Sequence, residues 1–209
     1  MMNNVLTTPL EDLFITDIRL NTDKDFLIPL IFTSYRIAVR GQFGLYYLGH
    51  AGVLLVNGST GQTRYYEYGR YPDPKALEPG IVRGSIKKPV QLDNGMIVES
   101  SFKSTLHEIS QSHGQSSNIA GVVMRGYFYE KALDWINKKR RENHSPTKEG
   151  YGLFQNNCMT FVIDLAEHLG LDTYWRPPIV VPTLYAEQFQ LQYTDLDYDF
   201  NNDILEVSE

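Results

Sequence analysis

The feature that most constrains this fold is a pair of β-rich runs joined by turn chemistry. LYYLGHAGVLLVN (45 to 57) and TRYYEYGRY (63 to 71) are dense in aromatic and β-branched residues, and the intervening GSTGQ supplies glycines and short hydroxylated side chains. Runs of this kind at this spacing predict an antiparallel hairpin.

Other elements are read around it. LIPLIFTSYRIAVRG (27 to 41) reads as extended, with Pro29 near its start, where a strand tolerates proline, and IVRGSIKKPVQL (81 to 92) and IAGVVMRGYF (119 to 128) read as strands. PDPKALEPG (72 to 80) reads as a loop. Phe102, Leu106 and Ile109 recur at helical spacing between Glu99 and His113, and YEKALDWINKKRREN (129 to 143) is an amphipathic helix with Leu133 and Ile136 inward. In QNNCMTFVIDLAEHLG (155 to 170), Phe161, Val162, Leu165 and Leu169 share one helical face, Gly170 is the C-cap, and Asn156 or Asn157 the N-cap. RPPIVVP (176 to 182) reads as extended. Residues 1 to 26 read as an irregular lead-in, and 195 to 209 as an acidic tail, mostly solvated, that holds a late strand or faces a partner. The sum is a single α+β domain over 1 to 209: an antiparallel sheet with helices segregated to one side.

With 42% hydrophobic and 21% charged residues the chain is an ordinary globular one, and a formal net charge of -6 gives it no general attraction to nucleic acid or anionic lipid. KKRR (138 to 141) reads as a solvated helix face. A single cysteine, Cys158, excludes an intrachain disulfide and any multi-cysteine zinc site, and no metal or cofactor is expected. MMNNVLTTPLEDLFITDIRL has neither a basic start nor a sustained apolar run, so no Sec signal is expected, and no stretch approaches the roughly 20 apolar residues of a membrane span.

Cys158 falls in the first turn of its helix, where unpaired N–H groups and the helix dipole favour a thiolate. A thiol-dependent hydrolase also needs a histidine base. His168 lies ten residues further along the same helix, about 15 Å away, and cannot serve. His107 and His113, on a polar helical segment, and His144, in a loop, read as surface residues. His50 sits in a strand between Gly49 and Ala51-Gly52, where small neighbours leave room for a second side chain and a substrate; a satisfied strand histidine fits that context equally. On the returning strand Tyr65, Glu67, Gly69 and Tyr71 share a face, and a turn around Ser59-Thr60-Gly61 brings Glu67 or Gly69 near His50. Glu67 is thus the candidate third polar group, with surface pairing to Arg64 or Arg70 as the alternative. Asn157 is a candidate oxyanion donor as well as a cap, and Tyr47 and Tyr66 are candidate cleft residues.

GHAGVLLVN resembles the histidine strand of NlpC-type papain-like peptidoglycan peptidases. NNCMTFVIDL resembles their cysteine helix, and more closely the Asn-Cys-x-x-Phe signature of lecithin retinol acyltransferase-like relatives. Because His50 precedes Cys158, the order is that of the circularly permuted branch. TRYYEYGRYPDP and the later GIVR resemble antibacterial type VI secretion effectors of that branch. The resemblance spans roughly 45 to 83 and 151 to 170. It implies a permuted papain-like fold, Cys158 as nucleophile and His50 as base. Glu67 matches the position of the third residue but not its usual identity (His, Asn or Gln), and Met159-Thr160 replaces the Glu-His common in the acyltransferases.

The implied function is hydrolysis of amide bonds in peptidoglycan stem peptides by an antibacterial toxin. Such a toxin is made without a signal peptide, carried by a secretion apparatus into a neighbour's periplasm, and countered by a cognate immunity protein. The alternatives are a lipid-directed thioesterase, phospholipase or acyltransferase, and a non-catalytic binding domain in which Cys158 is a packing residue.

Overall fold

The computed structural model describes residues 20–38, 43–73, 80–153 and 155–208. Most of the lead-in and the proline-rich loop over 74–79 lie outside the described residues. The described chain contains strands β1 (Asp25–Phe32), β2 (Arg36–Ala38), β3 (Leu45–Tyr47), β4 (His50–Val56), β5 (Thr63–Gly69), β6 (Ile81–Lys87), β7 (Leu92–Asp93), β8 (Met96–Ile97), β9 (Ile119–Gly126), β10 (Thr194–Asp199) and β11 (Ile204–Ser208). Its helices are α1 (Glu99–His113), α2 (Tyr129–Glu142), α3 (Cys158–Leu169) and α4 (Pro182–Gln190). Seven strands form one antiparallel sheet in the order β11-β10-β9-β1-β4-β5-β6, while β2-β3 and β7-β8 form small separate ribbons. The fold is α+β and papain-like.

The expected hairpin is present as β4-β5. Its turn is held by Asn57, whose Oδ1 accepts from the backbone N–H groups of Ser59 and Thr60 and from both of their hydroxyls. The run 45 to 57 is not one strand: Gly49, at φ +74°, breaks it, and a Cβ there would lie 2.8 Å from the Thr183 methyl. The break sends β3 away to pair with β2 and leaves His50 as the first residue of β4.

Helices cover both faces of the sheet, rather than one as the sequence suggested. The reason lies in β1, where both parities are buried: Leu27 and Ile31 pack with α2, α3 and α4, while Phe26, Ile28, Leu30 and Phe32 pack with Phe102, Leu106 and Ile109 of α1. A strand apolar on both sides needs cover on both. Pro29 is also mid-strand rather than near a strand start. It is paired with Val53 of β4, and on the β9 side the ladder skips it, resuming from Leu27↔Met124 to Leu30↔Gly121. Its missing N–H therefore falls in a gap in the pairing.

The acidic segment 195 to 208 is β10 and β11, an edge hairpin that buries Leu196, Tyr198 and Leu205 in the α1-side core. Alternation explains why it read as a solvated tail: its acidic side chains flank the apolar ones at period two. The segment 176 to 182 ends in α4, with Pro182 at the helix start, a position that suits proline.

Candidate active site

Cys158 is the first residue of α3 and is buried. Asn157 caps this helix. Its Oδ1 accepts from Met159 N at 2.9 Å and Thr160 N at 3.0 Å, and Thr160 Oγ1 accepts in return from Asn157 N at 2.9 Å. The Asn157 amide nitrogen donates to the carbonyls of Leu153 (2.9 Å) and Val180 (2.7 Å). Every polar atom of this side chain therefore has a partner inside the protein, so its placement is that of a cap and a clamp on two loops, not of an oxyanion donor.

The thiol faces His50 at the open end of β4, where both side chains line one small cleft and interact electrostatically. His50 Nε2 lies 2.8 Å from Glu67 Oε2 and 3.1 Å from the Tyr71 hydroxyl, which leaves Nδ1 for Cys158. Aromatic rings box the imidazole: Phe32 stacks at 6.0 Å between centroids and Tyr35 lies at 4.9 Å. Burial opposes a charge on His50, but the Cys158 sulfur and the Glu67 carboxylate outweigh it and push its pKa up to about 9.

Glu67 is fully buried yet ionised. Burial raises its pKa, but hydrogen bonds from His113 and His50 and the charge of Arg83 hold it well below the usual carboxylate range. Register explains its position: Glu67 is opposite Gly52, two residues from His50 on the same face, and the missing side chain at Gly52 gives the carboxylate and the Tyr65 hydroxyl their space. Tyr65 Oη donates to Glu67 Oε2 at 2.9 Å.

Three of the sequence candidates, Cys158, His50 and Glu67, are thus brought together, with Asn157 beside them. Tyr47 and Tyr66 are not. Tyr66 is buried in the core between β5 and the helices, and Tyr47 is 63% exposed on β3 under the Arg36 guanidinium. Besides Tyr65, four participants were missed. His113 read as a surface residue, yet its Nδ1 lies 2.9 Å from Glu67 Oε1; its spacing of four from Ile109 continues the apolar stripe of α1 and was the available signal. Arg83 of β6 pairs directly opposite Glu67 and bonds Oε1, and its guanidinium stacks 3.5 Å from the Tyr71 ring. Tyr71 had been placed on the right face, without a role. Tyr151 has its hydroxyl against both the backbone N–H and the thiol of Cys158; burial, then the sulfur, pushes its pKa up.

The cleft over this group is small, about 30 Å³, with a largely apolar lining that includes Ile37, Leu48, Leu153, Val180 and Pro182. A larger cleft of about 400 Å³ lies beyond the Tyr68–Tyr151 ring contact. Among its charged side chains Lys139 pairs with Glu142, Asp164 with Arg176, and Lys148 with two backbone carbonyls, and its described lining contains no nucleophile with a base. Among the described residues no three His, Cys, Asp or Glu side chains are grouped to hold a metal ion.

The family model of TseH-like type VI secretion system effectors matches residues 27–170. The chain belongs to that family. The crystal structure of the type VI secretion system effector TseH superposes on it with a TM-score of 0.84 at 52% identity, over 89% of this chain and 98% of that one. No curated protein matches the chain. The matched region of the TseH-like family runs from β1 to the end of α3, and so takes in His50, Glu67, Arg83, His113 and Cys158.

Proposed function

We propose that this effector is an antibacterial hydrolase that cleaves an amide bond in peptidoglycan stem peptides through Cys158 and His50. The observation that carries the reading is a thiol at a helix start that shares one small cleft with an imidazole whose far nitrogen is held by a buried carboxylate. His50 Nδ1 takes the thiol proton, the sulfur attacks the scissile carbonyl, and the same imidazole returns the proton to the leaving amine. Water then attacks the thioester, with His50 as base, and frees the carboxylic acid and the thiol.

The tetrahedral oxyanion needs donors. The Met159 and Thr160 N–H groups are taken by Asn157, so the donors in reach are the Cys158 N–H and the Tyr151 hydroxyl, which lie against each other. Delivery by a type VI apparatus into a neighbour's periplasm and a cognate immunity protein in the producer complete the proposal; the family supports delivery by that apparatus and the immunity protein. The apolar lining of the cleft favours a second reading, hydrolysis of lipid esters.

Expression directed to the periplasm of a Gram-negative host, against cytoplasmic expression, tests the proposal. Lysis or rounding only in the periplasmic case, lost with Cys158→Ala, is expected; a Cys158→Ala protein of undiminished toxicity sinks it. Muropeptide mass spectrometry then separates the two substrates, since intact muropeptides alongside released fatty acid favour the ester.

A further inference from the structure

Glu67 is an acid at a position that in the resembling family is more often His, Asn or Gln, and its surroundings explain how an acid can work there. An ionised carboxylate offers about four lone-pair sites and no hydrogen. Four side chains fill them, each from a different element: His50 of β4 and Tyr65 of β5 on Oε2, and Arg83 of β6 and His113 of α1 on Oε1. Tyr71 lies against the same group, its hydroxyl at His50 Nε2, and Tyr35 packs on the imidazole.

We propose that His113 and Arg83 are positioning residues for the Cys158–His50 pair: they saturate Oε1 of Glu67, fix the plane of its carboxylate, and so hold His50 with Nε2–H toward Glu67 and Nδ1, the nitrogen that exchanges the proton with the thiol, toward Cys158. The tautomer follows from donor and acceptor identity. Because ionised Glu67 only accepts, each histidine nitrogen facing it carries a hydrogen, which leaves the neutral His50 ring with Nδ1 as its lone pair. The same logic puts the hydrogen of His113 on Nδ1 and leaves its Nε2 toward Ser85 Oγ, 3.5 Å away, so neutral His113 already suffices. Without the two Oε1 donors the carboxylate loses half its partners in a buried site, swings or takes up a proton, and releases the imidazole.

The inference rests on the Cys158–His50 pairing proposed above but not on its substrate, so its test is substrate-free: the rate at which iodoacetamide alkylates Cys158 in the purified full chain, followed against pH. His113→Ala and Arg83→Gln are each expected to lower the neutral-pH rate about tenfold. The double variant should fall no further than Glu67→Ala, since all act through one carboxylate. His113→Asn, whose amide nitrogen can occupy the place of Nδ1, is expected to restore most of the rate. A His113→Ala profile superposable on wild type, with only the melting temperature lowered, overturns the proposal, as does a His113→Asn protein no better than His113→Ala. Arg83 is 42% exposed on its side chain, so Arg83→Gln decides the question even where a His113 variant does not fold. If His50→Ala leaves the wild-type rate unchanged, it is the functional reading that fails.

Discussion

Glu67 stands opposite Gly52 in the β4-β5 ladder, yet the group it bonds is the imidazole of His50, two residues along the same face. That diagonal reach exists because position 52 has no side chain. A Cβ on Gly52 would lie 2.3 Å from the Tyr65 hydroxyl, which is fully buried and bonded to the same carboxylate oxygen. Gly52→Ala is therefore expected to destabilise the fold by about 1 to 3 kcal/mol through overpacking, read by denaturant unfolding, and to slow Cys158 alkylation as Tyr65 is displaced onto Glu67.

Replacing Glu67 by Gln keeps the shape and removes the charge. His50 then loses its anchoring carboxylate and Arg83 its counter-charge, and the amide offers only one acceptor oxygen to four donors. Turnover of the proposed peptidoglycan substrate is expected to fall by at least about a hundredfold, with most of the loss in kcat, because the wrong tautomer and orientation of the base affect the chemical step. A loss confined to KM would show that Glu67 acts on binding.

Tyr151→Phe removes the hydroxyl that faces the Cys158 N–H and sulfur. A drop in kcat of about a hundredfold, without loss of iodoacetamide reactivity, is expected of an oxyanion donor. Equal loss in both assays would place the hydroxyl with the thiol rather than with the oxyanion.

Asn157 separates capping from clamping. Asn157→Ala removes the cap of α3 and is expected to lower stability by about 1 to 2 kcal/mol from that cause alone. Asn157→Asp keeps the acceptor for Met159 and Thr160 but deprives the Leu153 and Val180 carbonyls of a donor. An Asn157→Asp protein of wild-type stability would mean that the clamp contributes nothing.

Stability should carry a pH signature from the same group of side chains. His50 is raised from 6.5 to about 9, so its contribution is full below about pH 6.5 and is lost as pH rises through about 9. Glu67 is depressed, so its contribution holds above about pH 4.5 and is lost as the solution becomes more acid. Denaturant titrations are expected to show the wild type losing on the order of 3 kcal/mol between about pH 6.5 and 9, and His50→Gln losing much less there.

What could be read in the sequence was whatever a local period or a short motif encodes. The β4-β5 hairpin, helices α1 to α3, the Asn157 cap, the Gly170 C-cap and the Cys158–His50–Glu67 grouping all follow from spacing, turn chemistry or resemblance. What was not legible depended on which elements meet. His113 lies 46 residues from Glu67, and only packing of α1 on the far face of the sheet brings them together. Arg83 faces Glu67 through the β5-β6 register, on a strand whose partner the pattern did not specify. The mid-strand Pro29 is accommodated only because β9 leaves its position unpaired, which is a property of the neighbour and not of the strand.

The order of the elements has a consequence during synthesis. Emerging amino terminus first, the chain presents His50, Glu67, Arg83 and His113 well before α3, and its one sulfhydryl leaves the ribosome only after all of them. No nascent fragment that stops short of residue 158 can carry out thiol chemistry, whatever part of the sheet it has formed. In the producing cell, abortive translation products that end before α3 lack the sulfhydryl, and by the proposed mechanism reactivity begins only once α3 is made.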